Sequence, residues 1–340
     1  MRARLLHICA GMYEKGDSMD AEAPRDGKLE QALKAAQLYY MQDRTMEAIA
    51  RELGTSRSSV SRLLSHARET GLVDIRITSP LERGGFLEQR VRERFHVAAH
   101  VVPVPSSVSE VDRLERVAMT AARLFAQFVD SNMVVGVAWG STLTAVSRYL
   151  PQKETHGTTV VQLNGAGNTQ TTGVDYSSEV LQRFGDAFGA KLQQFPVPAF
   201  FDDPATREAM WRERSTRRVL DVQGRMDLAL FSLGSPSAEV PSRVYVGGYL
   251  DRDDYRSLTE DRVIGDVATV FFRADGTWRD VRLNARATGP DLDRLRRVPR
   301  RVCVVAGAHK LASLRAALAA GLVTDVVLDE TLAERLVETL

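Results

Sequence analysis

Apolar positions follow a helical period from about residue 28 to residue 68, and beyond residue 98 short apolar runs alternate with helical segments. The clearest early pattern is the stretch 45–68, TMEAIARELGTSRSSVSRLLSHAR, where Met46, Ile49, Ala50 and Leu53 share one helix face. Gly54 follows and can take a positive φ at no steric cost. Thr55 or Ser56 can then cap a second helix with Val60, Leu63, Leu64 and Ala67 on its buried side. Ahead of this pair, KLEQALKAAQLYYMQDR from Lys28 predicts a helix burying Leu29, Leu33, Ala36, Leu38, Tyr39 and Tyr40. Behind it, Gly71 ends the helix, and Val73, Ile75 and Ile77 alternate with Asp74 and Arg76 as a half-buried strand does. Three helices and a strand in this order predict a mostly α, winged helix-turn-helix over residues 28–79.

Residues 81–95 read as a charged amphipathic helix broken by Gly84-Gly85, within a linker over residues 80–97. Beyond it, strands are expected at 98–102, 133–138, 158–163, 192–196, 228–233, 268–272, 302–306 and 325–328. Helical patterns lie between them at 111–128, 143–150, 176–190, 204–222 and 310–320, and 331–340 closes the chain. This alternation predicts a Rossmann-like, mostly parallel α/β domain over 98–340, with its ligand at the carboxyl ends of the strands.

At 340 residues the chain suits two domains and a linker, and 44% hydrophobic with 26% charged residues describes a globular protein. The net charge of +1 removes any global argument for nucleic acid, so that case rests on local placement. Cys9 and Cys303 lie far apart without metal-ligand spacing, and Cys303 sits in an apolar run as a small buried hydrophobe would. No metal or cofactor is expected. No stretch approaches the roughly 18 apolar residues of a membrane span, and a cytoplasmic protein is expected. Residues 1–27 read as a disordered leader, with Met1 or Met19 as the start.

Chemistry concentrates at two places. Between Gly54 and Arg68 the ionisable residues are Arg57, Arg62, His66 and Arg68, with no acid among them. A groove-docked helix presents its first residues to base edges and phosphates; arginine can bond guanine O6 and N7 together, and hydroxyls take either. The DNA-contacting candidates are Thr45, Thr55, Ser56, Arg57, Ser58, Ser59, Ser61 and Arg62, with Arg76 of the wing toward phosphate. The competing structural reading is a helix pair with a solvated basic face.

In the second domain, the run 133–138 passes through Trp139 into Gly140-Ser141-Thr142 at a helix start. Free N–H groups, the helix dipole and two hydroxyls there favour an anion, although a plain turn with Ser141 as cap has the same pattern. Neither a Walker loop nor GxGxxG is present. Asn164-Gly165 follows another strand, Gly265-Asp266 precedes a third in VIGDVATVFF, and Lys310 closes AGAHK after a fourth. An acid for sugar hydroxyls beside Ser, Thr and Lys for phosphate suits a phosphosugar. The ligand candidates are Gly140, Ser141, Thr142, Asn164, Gly165, Asp266 and Lys310.

The order helix-turn-helix, linker, strand-WGST-helix, GDVATVFF and VVAGAHKLASLRAAL…VLDETLAERL resembles the SorC family of sugar-binding transcriptional regulators over about residues 30–340. The resemblance implies an effector domain similar to sugar-phosphate isomerases and deaminases, a phosphorylated sugar as effector and a tetramer on operator DNA. It assigns Gly140, Ser141 and Thr142 to the phosphate loop, Lys310 to the phosphate and Asp266 to the sugar. Gly307-Ala308-His309 stands where the family has Gly-Gly, and Leu328-Asp329-Glu330 where it has threonine-aspartate-glutamate, so Asp329 and Glu330 are not counted as site residues. The expected function is therefore a transcriptional regulator without enzymatic activity. The alternative is a sugar-phosphate isomerase or deaminase fused to a DNA-binding module, for which Asp266 is the one obvious base and His309 or His156 would have to be its partner. A sigma-factor-type promoter reader would leave the α/β domain unexplained.

Overall fold

A computed structural model gives the fold and describes residues 23–73, 80–236 and 242–338. The chain divides between Ser79 and Pro80 into two compact units.

In the first unit a helix spans Ala23–Ala36, beginning ahead of the expected Lys28, and runs into a π-helical turn at Gln37–Met41. That wider turn shifts the phase of the apolar face. The helix buries the small residues Ala32, Ala35 and Ala36 with Leu38, while Leu29, expected inside, is exposed. Helices Met46–Glu52 and Arg57–Glu69 follow, joined through Gly54 at φ +63°. Ile49, Ala50, Val60, Leu63, Leu64 and Ala67 close on the first helix in one apolar cluster that also takes Val73. The expected wing strand, with Arg76, falls mostly on residues 74–79 and lies outside the described residues.

Among the described residues the second unit is built on seven strands in a wholly parallel sheet. In chain order these are β1 (Ala98–Val102), β2 (Val134–Val137), β3 (Thr159–Gln162), β4 (Lys191–Gln193), β5 (Leu228–Phe231), β9 (Arg300–Val305) and β10 (Asp325–Asp329); the spatial order is β1-β10-β9-β5-β2-β3-β4. A small antiparallel sheet adds β6 (Leu233–Gly234), β7 (Val263–Val267) and β8 (Val270–Arg273) in the order β6-β7-β8.

Residues alternate between two apolar layers, as a sheet covered on both faces requires. Val302 and Val304 of β9 face Phe125, Phe184 and Phe188 on one side, while Cys303 and Val305 join Leu314, Leu332 and Leu336 on the other. Cys303 is fully buried, and burial pushes its thiol well above the ordinary range, as expected of a structural residue.

Three expectations are corrected. The Pro80–Phe95 helix runs unbroken through Gly84-Gly85, and it is no free linker: Leu87 and Val91 enter the core of the second unit. Glu88 Oε1 accepts the Val101 N–H of edge strand β1 at 2.9 Å. Second, the expected helix at 204–222 is two, Pro204–Arg212 and Arg214–Gln223. Third, Asp266 does not precede a strand at 268–272 but lies within β7, and Ala268-Thr269 turn the chain into β8 with φ of +45° and +70°. Two left-handed residues are what a tight two-residue hairpin demands, and residue types alone do not announce them here.

Candidate functional site

The strand order places the site. After β2 the chain crosses to β3 on one side, and after β5 it continues toward β9 on the other. Connections that diverge from neighbouring strands leave a crevice beyond their carboxyl ends. A cavity of about 270 Å³ lies there, lined among others by Trp139, Gly140, Ser141, Thr142, Asn164, Ser232, Gly234, Arg243, Asp266, Thr269, His309 and Lys310.

One wall is the start of the Ser141–Arg148 helix. Gly140 holds φ +144°, outside the range L residues favour, and supplies no side-chain cap. The first-turn N–H groups have no acceptor within the helix, and the positive end of its dipole adds to them. Gly140 O accepts from Thr144 N at 2.9 Å and Thr144 Oγ1 at 3.0 Å, fixing the turn. Thr142 Oγ1 accepts from Ser232 Oγ at 3.2 Å, which ties this wall to the end of β5.

The opposite wall carries the acid and the lysine. Asp266 is 4% exposed; its Oδ2 accepts the Thr269 N–H at 3.2 Å, and its Oδ1 is buried near the Tyr245 hydroxyl without a hydrogen bond of normal geometry. Burial pushes its carboxyl up to about 6, against the pull of Lys310, the Thr269 N–H and the Tyr245 hydroxyl. Gly234 lies directly beneath, where a Cβ would stand 1.7 Å from Asp266 Oδ1. Lys310, also buried, donates from Nζ to Leu233 O at 2.9 Å. Burial draws the ammonium down to about 8, and Asp266 opposes that drop.

Asn164, at the end of β3 and 1% exposed, presents a second buried acceptor, Oδ1, with no partner. Most buried polar atoms in folded proteins are paired, so two orphaned acceptors on one cavity mark where a donor belongs. Gly165 is the one sequence-predicted ligand residue that does not line the cavity. Its N–H donates to Thr288 Oγ1 at 3.1 Å, and a Cβ there would meet two backbone carbonyls at 2.3 Å. It packs behind the wall and accepts the Trp139 Nε1–H at 2.8 Å through its carbonyl.

Several lining residues were not read from the sequence, among them Arg243, Ser232, Thr269 and Glu110. Arg243 stacks 3.8 Å over the Tyr176 ring, whose hydroxyl lies 2.9 Å from Thr144 Oγ1. Its segment, RVYVGG, carries no periodic or motif signal that could have marked it. Ser232 and Thr269 sit in runs that read as strand. Glu110 at its helix start completes a chain of contacts: Glu110 Oε2 lies 3.7 Å from His309 Nδ1, and Glu110 Oε1 accepts from Arg113 Nε at 3.1 Å. Arg113 Nη1 donates to buried Asp329 Oδ1 at 3.0 Å, while Asp329 Oδ2 accepts the Gly307 N–H at 2.7 Å. Asp329 thus fixes the loop that carries Lys310 without touching the cavity.

In the first unit, Thr45 and Ser56 cap their helices by accepting the Ala48 and Ser59 N–H groups, each at 3.2 Å. Thr55, Arg57, Ser58, Ser61 and Arg62 are exposed along the start of the second helix, and Ser59 is half-buried. Arg57 Nε meets Glu47 Oε1 at 2.8 Å across the turn, an exposed pair of little energetic weight. Among the described residues no helix is long and apolar enough to cross a membrane.

A crevice for a small polar ligand on an α/β unit, preceded by a helix-turn-helix pair, describes a ligand-responsive transcriptional regulator. The chain belongs to the SorC family of sugar-binding transcriptional regulators, and residues 80–338 match the family of sugar-binding domains. It is 31% identical to the deoxyribonucleoside regulator of Bacillus subtilis (strain 168) over 86% of this chain and 92% of that protein. With the sorbitol operon regulator of Klebsiella pneumoniae it shares 24% identity over 84% of this chain and 90% of that protein. The crystal structure of a domain of a sugar-binding transcriptional regulator from Arthrobacter aurescens TC1 shares 54% identity at a TM-score of 0.72, covering 77% of this chain and all (100%) of that one. The full-length sorbitol operon regulator, 24% identical, matches the fold over 92% of this chain and 100% of its own at a TM-score of 0.69.

Proposed function

We propose that the protein is a transcription factor whose affinity for operator DNA is set by a phosphorylated sugar. The observation that carries this reading is the polarity of the cavity. Orphaned acceptors on Asp266 and Asn164 call for hydroxyl donors, while the Ser141 helix start, Lys310 and Arg243 supply donors and positive charge for an anionic group. A ligand with hydroxyls at one end and a phosphate at the other satisfies both.

On the DNA side the proposal is a winged helix-turn-helix whose 57–69 helix enters the major groove, with Arg57 and Arg62 toward bases and the serines toward bases or phosphates. Arg76 would meet phosphate. For the two events to be coupled, the ligand must bind one arrangement of the oligomer more tightly than another; family membership favours a tetramer. Pairs of recognition helices would then change their spacing with occupancy.

The test is Lys310→Ala. Titrating operator binding against a panel of pentose and hexose phosphates should show the response displaced to roughly tenfold higher effector concentration, or lost. A response at the wild-type concentration would remove Lys310 from the phosphate site. One feature favours the rival, enzymatic reading: a carboxyl buried in the cavity wall, which burial pushes up to about 6, suits general-base work. Turnover of any sugar phosphate by the pure protein would establish it.

A further inference from the structure

A second cavity of about 410 Å³ lies between the Pro204–Arg212 and Arg214–Gln223 helices and the segment 289–295, and it shares no lining residue with the first. Three guanidiniums face it: Arg207, Arg217 and Arg294. Among the described residues none of the three joins an ion pair, whereas Arg113, Arg148, Arg183, Arg279, Arg282 and Arg286 all do. Arg207 is the most constrained. It stacks 4.6 Å over the Trp211 ring and donates from Nε to Ala287 O at 2.7 Å. Burial lowers its affinity for the proton, and the charges of Glu208 and Asp291 offset part of that loss. Two acids share the lining, Asp221 and Asp291. Asp291 Oδ1 accepts the N–H groups of Asp293 at 2.8 Å and Arg294 at 3.3 Å, and among the described residues neither acid forms a direct ion pair with the three arginines, whose charges outnumber theirs.

We infer that this cavity is a separate binding site for a small polyanion, a molecule carrying two or more phosphate or carboxylate groups held by Arg207, Arg217 and Arg294 with Trp211 as its floor. Planar guanidiniums bind such groups bidentately, and a partly desolvated guanidinium with no carboxylate in direct ion-pair contact gains most from one. The site has a physical route to the first cavity. Gly289 lines it and packs so tightly on the hairpin turn that a Cβ would lie 2.0 Å from Ala268 O, next to Thr269, which holds Asp266. Two residues earlier, Ala287 accepts from Arg207. An occupant that pulls Arg207 therefore acts on the segment that backs the Asp266 turn.

The test is calorimetric titration of the full chain with pyrophosphate, at ionic strength held constant with chloride, in a Lys310→Ala background that weakens the first cavity. Saturable binding is expected there. Arg217→Gln or Arg294→Gln, both exposed residues whose replacement leaves the core intact, should weaken it about tenfold each. An unchanged thermal midpoint in chloride would certify the fold of each variant. Absence of saturable binding, or affinity unmoved by both substitutions, overturns the inference. Because the sugar-phosphate response is read at Lys310, failure of this site leaves the reading of the first cavity standing.

Discussion

Asp266, through its titration, gives the second unit a predictable pH dependence. Its carboxyl is held at about 6 rather than the ordinary 3.8, so the native state keeps this proton longer than the unfolded chain does. Between those values the unfolded state binds fewer protons, and stability falls as pH rises through the window. Lys310 runs the other way: held at about 8 instead of 10.5, it costs stability below about 8 and stops doing so as pH climbs toward the ordinary value. For the ligand the sign reverses, because only the ionised carboxylate can accept at both oxygens. Affinity for a sugar phosphate should therefore strengthen from about pH 5 to about pH 7.5, and the profile should flatten in Asp266→Asn. Since a phosphate monoester itself titrates near 6, the comparison between the two proteins is the informative quantity. Parallel profiles would take Asp266 out of ligand contact. Asp266, Lys310 and the Ser141 turn stand out in the sequence by residue type beside apolar runs, although Asp266 is expected before a strand and lies within one. Arg243 was not: a lone arginine in a loop looks like any solvated cation until a tyrosine from another helix fixes it at the cavity.

Elements were legible where period and punctuation agreed. The 57–69 helix has Gly54, a serine cap and four spaced apolar residues, and it forms as read. The β7-β8 hairpin was misread as a single strand because its turn uses Ala268 and Thr269 rather than glycine or asparagine. Such a turn carries backbone strain that its surroundings must hold in place, and here the Asp266 carboxylate, Gly289 and the tight packing around Thr269 do so. The helix-turn-helix allows a direct prediction. Arg57→Ala should weaken specific operator binding by about 1–3 kcal/mol and relax one base position, measured by competition against a library of operator variants. Equal loss on operator and random DNA would reduce Arg57 to a backbone contact. Its pairing with Glu47 in the free protein is an exposed contact that DNA can displace at small cost.

At the scale of the whole molecule, the sequence yields the two-unit plan and the α/β class but not the order of strands. Parallel strands buried on both faces look alike, and nothing in an apolar run says which neighbour it takes. That order is what brings 140, 232 and 310 to one crevice, with 266 carried in by the small antiparallel sheet; the sequence predicts convergence at one sheet edge but not which strands adjoin.

The Glu88 contact has a practical corollary for anyone cutting the chain. A fragment beginning at Pro80 keeps the helix that shields the outer strand and should remain monodisperse on a sizing column. One beginning at Ala98 would bare Val101 and its backbone donor, the template from which strands of separate molecules zip together, and should precipitate or elute as large aggregates.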